Sequence, residues 1–516
     1  ISTDANEIFD LINHLNSGKA PGSDGITSTM LKLTAGEIAL PLTLLFNHSL
    51  REGLIPDDWK RANVVPIHKS GDISSIKNYR PITLCSVVGK LLERVVTNRM
   101  IGYMRDVGLI SKQQHGFVAG RSCTTLLSTV CHHWAQLLDV RSPPVVDVIF
   151  LDWSKAFDKV SHSILLSKLH NYGICGPMWH WISSFLNQRY QRVQFRGSSS
   201  NWLPVLSGVP QGSVLGPLLF NLFVLDLPNC VQSNLPQYAD DTLLYRPIHS
   251  EDDVTIMQND LDNISSWCIL NKMCLNADKC KVMRLSKKVA CDGNTPSYKI
   301  SNSSLSVAQN YKYLGVIISS NLKWNDHVNH VASRTSRLVG FIKRIVRCND
   351  PAILSRLYKT LCRPIIEYGA PAWLPYMYQQ SHINRLEKVQ KRLARSCIPA
   401  PRGELTYQFR LEKLGLSSLE NRFHYLAIAF VSKCLYRVYD VDPFVYVRIN
   451  TRHTDTVKFH HNFGRTDCFK YNVFTRFPVQ FQSLPRHIRD KLNISLSSFL
   501  SNCKLHFKQS SWLDDS

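Results

Sequence analysis

The 516-residue sequence has no long apolar run, no CxxC pair and no acidic excess. A membrane-spanning helix needs about 20 mostly apolar residues. The best stretch, Val214 to Leu227, is interrupted by Pro217, Asn221 and Asp226, so no spanning segment is expected. The 15 cysteines are scattered singly, and the densest group, Cys268, Cys274 and Cys280, has neither zinc-ligand spacing nor nearby histidines. A zinc knuckle is excluded there, and free thiols in a reducing, intracellular compartment are expected. The chain opens on Ile1 and runs through polar residues from Asp4 to Asp10. That is no signal-peptide pattern, and the missing Met points to a piece of something longer. No internal repeat or low-complexity tract stands out.

What is present in excess is positive charge. Lys and Arg number 61 against 39 Asp and Glu, a formal +22. Folding does not require that surplus, whereas a polyanionic partner rewards it. With 44% hydrophobic residues the chain can bury a large core, and its length suggests two to four compact units.

Periodicity organises the chain. Ile8, Leu11, Ile12 and Leu15 read as a helix ended by the loop Ser17 to Gly25. Val64 to Lys69, the turn Ser70-Gly71-Asp72 and the run from Ile73 read as a β-hairpin. Leu92, Val96, Met100 and Met104 predict a helix after Pro81. Val145 to Leu151, apolar except for Asp147, predicts a buried strand delivering Asp152 at its carboxyl end. Gln237 to Tyr245 reads as two strand pieces around Asp240-Asp241, and Met257, Leu261, Ile264 and Cys268 as a helix packed under a sheet. Val328, Val331, Thr335, Leu338, Ile342 and Ile345 make an amphipathic helix, and Ile383 to Leu393 a second. Residues 326–400 hold 13 Lys or Arg against 4 Asp or Glu. Beyond residue 400 aromatic clusters near Phe474 to Phe481 are the main feature. Boundaries fall near 50, 145, 290 and 400.

Three stretches carry chemistry: Phe150-Leu151-Asp152-Trp153-Ser154-Lys155-Ala156-Phe157-Asp158, Gly208 to Pro217, and Tyr238-Ala239-Asp240-Asp241. An Asp-Asp pair is by itself a solvated turn. Between apolar strand pieces, the two carboxylates repel unless cations neutralise them. Magnesium takes hard oxygen ligands and keeps waters and substrate phosphates, and a two-ion site draws carboxylates from separate strands. Asp152 supplies one from another strand end, so Asp152, Asp240 and Asp241 are the candidate catalytic and metal-binding residues.

Tyr-Ala-Asp-Asp, preceded by Pro210-Gln211-Gly212 and a strand-end Asp followed by Ala156-Phe157-Asp158, resembles the reverse transcriptases. The forms Leu151 to Asp158 and Gln211-Gly212-Ser213-Val214-Leu215-Gly216-Pro217 are similar to jockey-like non-LTR (LINE-type) retrotransposons. They lack the Gln-Gly-Gly and Ser-Pro usual in group II intron enzymes. Lys19 to Ile26, Asn78-Tyr79-Arg80-Pro81-Ile82 and Tyr313-Leu314-Gly315 resemble further family segments. Arg363 to Gly369 and Ser483-Leu484-Pro485 extend the likeness more weakly.

The resemblance implies an α+β right-hand polymerase with fingers, a palm on an antiparallel sheet, a helical thumb and a C-terminal extension. Its divisions are 1–50 leading to the fingers, 51–145 fingers, 146–290 palm, 291–325 primer grip, 326–400 basic helical thumb and 401–516 C-terminal region. The reverse transcriptase domain spans about 50–320. The implied reaction is attack of a primer 3′-hydroxyl on a dNTP over an RNA template, with two Mg2+ (Mn2+ as a substitute).

Lys69 and Arg80 are implied to reach the triphosphate, which suits a Lys at a Gly-containing turn and the planar fork of Arg. Phe157 is implied to exclude the 2′-hydroxyl, against the alternative of a core Phe. Gln211 and Gly212 are implied to lie beneath the nucleotide. Lys279 is implied by the resemblance to protonate the leaving pyrophosphate, with Lys281 competing for that role. Arg385, Lys388, Arg392 and Arg395 step by three and four beside the apolar stripe Ile383, Leu386, Val389 and Leu393. They form either a template-primer grip or a solvated face. The implied partners are RNA template, DNA primer or target and dNTPs, with no membrane and with an endonuclease encoded upstream in a longer polyprotein. The implied setting is a cytoplasmic ribonucleoprotein and the nucleus at integration. Two rivals remain: an RNA-dependent RNA polymerase, for which Asp158 would contact the ribose, and a decayed or domesticated copy that binds nucleic acid without catalysis.

Overall fold

The computed structural model describes residues 1–287, 296–346, 350–373, 380–401, 403–447, 449–450, 458–459 and 464–509. The protein is a mixture of helices and mainly antiparallel sheets.

The central sheet has five strands in the order Ser306–Val307, Lys281–Leu285, Val145–Leu151, Asp241–Ile248, Gln237–Tyr238. Val145–Leu151 lies in the middle, antiparallel to both neighbours. Successive strand side chains point to opposite faces, and here both faces are buried. Val146, Val148 and Phe150 enter one core with the helices Cys123–Leu137, Asn325–Ile345, Gln380–Cys397, Leu419–Leu435 and Val473–Gln482. Ile149 and Leu151 enter the other with Ala5–Asn13, Ala35–Glu52, Val87–Asp106, Gly216–Phe223 and Glu251–Leu270. Two-sided burial explains why the strand reads as a nearly continuous apolar run. Its exception, Asp147, is fully buried and neutralised. Arg284 donates to both carboxylate oxygens at 2.7 Å, and the Tyr298 hydroxyl donates at 2.7 Å. A buried carboxylate survives only when paired and hydrogen-bonded in this way.

A second sheet runs Tyr79–Leu84, Arg61–His68, Arg189–Phe195, Ser198–Ser199, with Leu203–Val205 also on Arg189–Phe195. The expected hairpin is present, but its return strand starts at Tyr79 rather than Ile73. The intervening residues close a polar turn: Asp72 caps Ser74, and Asn78 donates to the Asp72 carbonyl at 2.9 Å. Side chain-to-backbone bonds of this kind divert a segment from ladder pairing.

The helix Val87–Asp106 is capped by Ser86 and buries Leu92, Val96, Met100 and Met104. Glu251–Leu270 buries Met257, Leu261, Ile264 and Cys268. In Asn325–Ile345 the buried stripe ends differently from expectation, since Ile345 is exposed and Val339 is buried instead. The helix Ala35–Glu52 crosses residue 50, and residues on both sides of 400 share one core. The boundary drawn near 290 lies outside the described residues. Among the described residues no helix is long and apolar enough to cross a membrane, and every described cysteine is a free thiol.

Candidate functional site

The register of the central sheet assembles the carboxylates. Leu151 pairs with Thr242, so Asp152 emerges beside Asp241 from the neighbouring strand. Asp152 is fixed by its backbone: its N–H donates to the Cys280 thiol at 3.3 Å, and its carbonyl accepts from Asn276 N–H at 2.8 Å. Trp153 donates across to the Thr242 hydroxyl at 3.1 Å, locking the two strand ends together. Tyr238 pairs with Asp241 around a two-residue turn whose first residue, Ala239, has φ +55°. Positive φ is what a tight hairpin turn demands, and an L-residue adopts it only when its surroundings impose it.

Asp240 and Asp241 are both exposed to solvent. Crowding by protein raises both carboxyl pKa values. Asp241 is pushed up to about 6, first by desolvation and then by the charges of Asp240 and Asp152. Lys69 and Arg80 oppose this rise at both residues. The hairpin of the outer sheet therefore lies within electrostatic reach of the carboxylates. The Lys279 ammonium lies 3.6 Å from Asp152. Lys281 instead donates to the Asp278 carbonyl and the Ser306 hydroxyl, at 3.0 and 2.6 Å. The three carboxylates are neighbours but not converged: among the described residues no group of three or more His, Cys, Asp or Glu is gathered tightly enough to hold a metal ion.

The glycine-containing loop packs against the outer sheet at Thr83. Gln211 donates from Nε2 to Asp158 at 2.9 Å, and its carbonyl accepts from Thr83 N–H at 2.9 Å. Gly212 has φ +145°, and a Cβ there would lie 2.2 Å from the Thr83 carbonyl oxygen. Only glycine permits that approach. Phe157 sits half-buried in the turn Ala156–Asp158, stacked on Phe220 at 4.4 Å, with the Phe117 ring edge-on at 6.2 Å.

Tyr313-Leu314-Gly315 forms the tip of a hairpin, and the Tyr313 hydroxyl donates to the Asp241 carbonyl at 3.4 Å. The Tyr368 hydroxyl donates to the Leu314 carbonyl at 3.0 Å, so the weakly matching segment Arg363 to Gly369 buttresses that hairpin. Farther off, Arg385, Lys388, Arg392 and Arg395 are all exposed on Gln380–Cys397, while Ile383, Leu386, Val389 and Leu393 are buried.

Two residues escaped sequence reasoning. Glu93 is buried and accepts from Val214 and Leu215 N–H at 2.6 and 3.0 Å, tying down the loop before helix Gly216–Phe223. Burial raises its pKa, while those donors and Arg189 hold it down. A lone Glu on an apolar helix stripe was the available signal. Gln114 contacts the Ala239 turn, and no periodicity marks it.

Residues 67–318 match the model of the family described as reverse transcriptase (RNA-dependent DNA polymerase). The RNA-directed DNA polymerase from mobile element jockey of Drosophila melanogaster is 28% identical over 77% of this chain and 44% of its own length. A probable RNA-directed DNA polymerase from transposon BS of the same species is 29% identical over 77% and 44%. One from transposon X-element, again from that species, is 29% identical over 75% and 43%. The chain thus spans less than half the length of these relatives.

Proposed function

We propose, from the premise that residues 67–318 form a reverse transcriptase domain homologous to those of non-LTR retrotransposons, that the chain extends a primer with dNTPs on an RNA template. The observation that carries this reading is the strand register that sets Asp152 beside Asp241, facing Lys69 and Arg80. In this reading the outer sheet belongs to the fingers, the central sheet is the palm, and residues 326–400 are the thumb.

The donors are of the chemical kind that divalent cations take, although the three carboxylates would have to converge from their present positions to share an ion. They are hard carboxylate oxygens whose mutual repulsion and desolvation leave Asp241 short of compensating charge. Asp152, Asp240 and Asp241 would hold two magnesium ions, with manganese as a substitute, which supply Lewis-acid activation of the 3′-hydroxyl and of the leaving phosphate. Lys69 and Arg80 bind the triphosphate. Phe157, braced by Phe220, forms a flat wall for the sugar, and Gly212, which lets the loop close on the Thr83 backbone, sets the floor beneath the nucleotide. Lys279 Nζ gives a proton to the departing pyrophosphate, a role Lys281 is too engaged to take. Asp158 is held by Gln211, which favours a deoxyribonucleotide site over one that grips a ribose 2′-hydroxyl.

Relatives named as Pol polyproteins support a longer polyprotein, and we infer an endonuclease elsewhere in it and work in a cytoplasmic ribonucleoprotein and in the nucleus at integration. The direct test is primer extension by the purified chain on an RNA template with magnesium. Binding of template-primer with no extension of any primer would establish a binding protein instead.

The exposed basic stripe gives a second expectation. Changing Arg385, Lys388, Arg392 and Arg395 to Ala should flatten the salt dependence of template-primer binding. The log-log slope should fall by roughly 0.9 for each phosphate that the stripe no longer neutralises. An unchanged slope marks the stripe as an ordinary solvated face.

A further inference from the structure

The catalytic turn is built around an alanine in a conformation alanine disfavours, and one side chain outside the sequence motifs holds it there. Gln114 is 4% exposed. Its Oε1 accepts two backbone N–H groups, Gly116 at 2.7 Å and Ala239 at 2.8 Å. The surrounding backbone repeats the attachment. His115 N–H donates to the Gln237 carbonyl at 2.8 Å, and Gln237 N–H to the Gln113 carbonyl at 2.8 Å. Gly116 lies so close that a Cβ would stand 2.3 Å from Ala239 N. Its carbonyl accepts from Asn221 Nδ2 at 2.8 Å. Segment 113–116 therefore acts as an extra edge of the hairpin that presents Asp240 and Asp241.

The other end of this loop is fastened to the C-terminal region. Arg121 Nη1 donates to the Ser111 and Gln114 carbonyls at 2.5 and 2.6 Å, and its Nε to Asp440 at 2.9 Å. Asp440 N–H donates to the Gly120 carbonyl at 2.9 Å. Gly120 has φ +77°, and a Cβ there would meet Asp440 N at 3.0 Å. The Arg121 side chain is nearly buried while Asp440 is exposed. The ion pair thus joins an interior strut to a surface segment.

We propose that Gln114 is a positioning residue for the carboxylate turn, and that Asp440 of the C-terminal region braces it through Arg121. The physical reason is the acceptor. Without Oε1 the Ala239 N–H is buried and unpaired, and the left-handed conformation of the alanine loses the side-chain contact that helps to impose it. The turn relaxes, and Asp240 and Asp241 move with it. A misplacement of about 1 Å at reacting groups costs roughly a hundredfold in rate.

The inference rests on the polymerase reading for its kinetic part only. Amide hydrogen exchange reports the turn directly, whether or not the chain polymerises. Gln114→Met keeps the shape and removes the acceptor, whereas Gln114→Glu keeps an oxygen in place. In full-length protein, Gln114→Met should accelerate exchange in residues 237–242. It should lower kcat about a hundredfold while KM for template-primer stays within about twofold. Gln114→Glu should return both readouts toward wild type. Asp440→Ala should accelerate exchange in 113–121 and, more weakly, in 237–242.

Unchanged exchange of 237–242 in Gln114→Met overturns the proposal. So does faster exchange at undiminished kcat, and so does a Glu variant that exchanges as fast as Met. Acceleration by Asp440→Ala confined to residues 437–443 overturns the brace. An inactive wild type whose Gln114→Met variant still exchanges faster at 237–242 sinks the polymerase reading and leaves the structural role standing.

Discussion

Asp152→Asn is expected to abolish primer extension while the protein remains folded. The substitution keeps both backbone bonds of residue 152, to Cys280 and Asn276, so the strand end stays where it is. What disappears is a negative charge that no neighbour replaces, since Asp240 and Asp241 already repel each other. Carboxylate-bound cations stabilise the transition state by several kcal/mol, and a loss of about 4 kcal/mol is roughly a thousandfold in rate. Asp240→Asn should do the same. Asp241→Asn should hurt less, as the resemblance to reverse transcriptases implies for the second carboxylate of the pair. Lys279 complicates the reading usefully: it loses its partner in Asp152→Asn. Lys279→Met should therefore be compared, and it should be slowed by much less, as fits loss of a proton donor rather than of a ligand. Thermal unfolding measured beside extension separates chemistry from stability. Near wild-type extension by Asp152→Asn would remove this residue from the mechanism.

Phe157→Val is expected to admit ribonucleotides at little cost to dNTP use. The expected discrimination is repulsive, the element that specificity needs when two substrates differ by one hydroxyl. The ring can repel because it cannot retreat: it is stacked on Phe220 at 4.4 Å and flanked by Phe117. Forcing an extra group into a packed site typically costs about 1–3 kcal/mol, hence roughly 5- to 150-fold discrimination. Valine removes the ring and leaves the backbone bond from Val209 N–H to the Phe157 carbonyl. The check is incorporation of each nucleotide type on an RNA template by wild type and variant. A wild type that uses both sugars equally, or a variant that loses dNTP use and gains nothing, would show that Phe157 only packs. Gln211→Ala, which frees Asp158 from its 2.9 Å bond, would then test whether Asp158 touches the sugar.

Much of the site was readable along the chain because its signals are local. An apolar run ending in Asp marks a buried strand that delivers a carboxylate, as Val145 to Asp152 does. Apolar spacing of three and four marks the buried faces of Val87–Asp106 and Gln380–Cys397, and so also the exposed cations between them. Tyr238 to Asp241 and Gln211-Gly212 stand out by composition, and the likeness to a family arranged them in order. The contacts that make these pieces a site belong to the tertiary structure. Leu151 meets Thr242, Lys279 rather than Lys281 turns to Asp152, and Arg61–Val64 pairs in parallel with Tyr190–Val193. Glu93 reaches a loop 121 residues away, and Gln114 a turn 125 residues away. Residues beyond 400, opaque in sequence, join the core beneath the central sheet. Periodicity records which face of an element is buried, because burial rewards apolar area on that face alone. It carries no record of which distant N–H a buried side chain will meet, since that partner is chosen only when the elements pack.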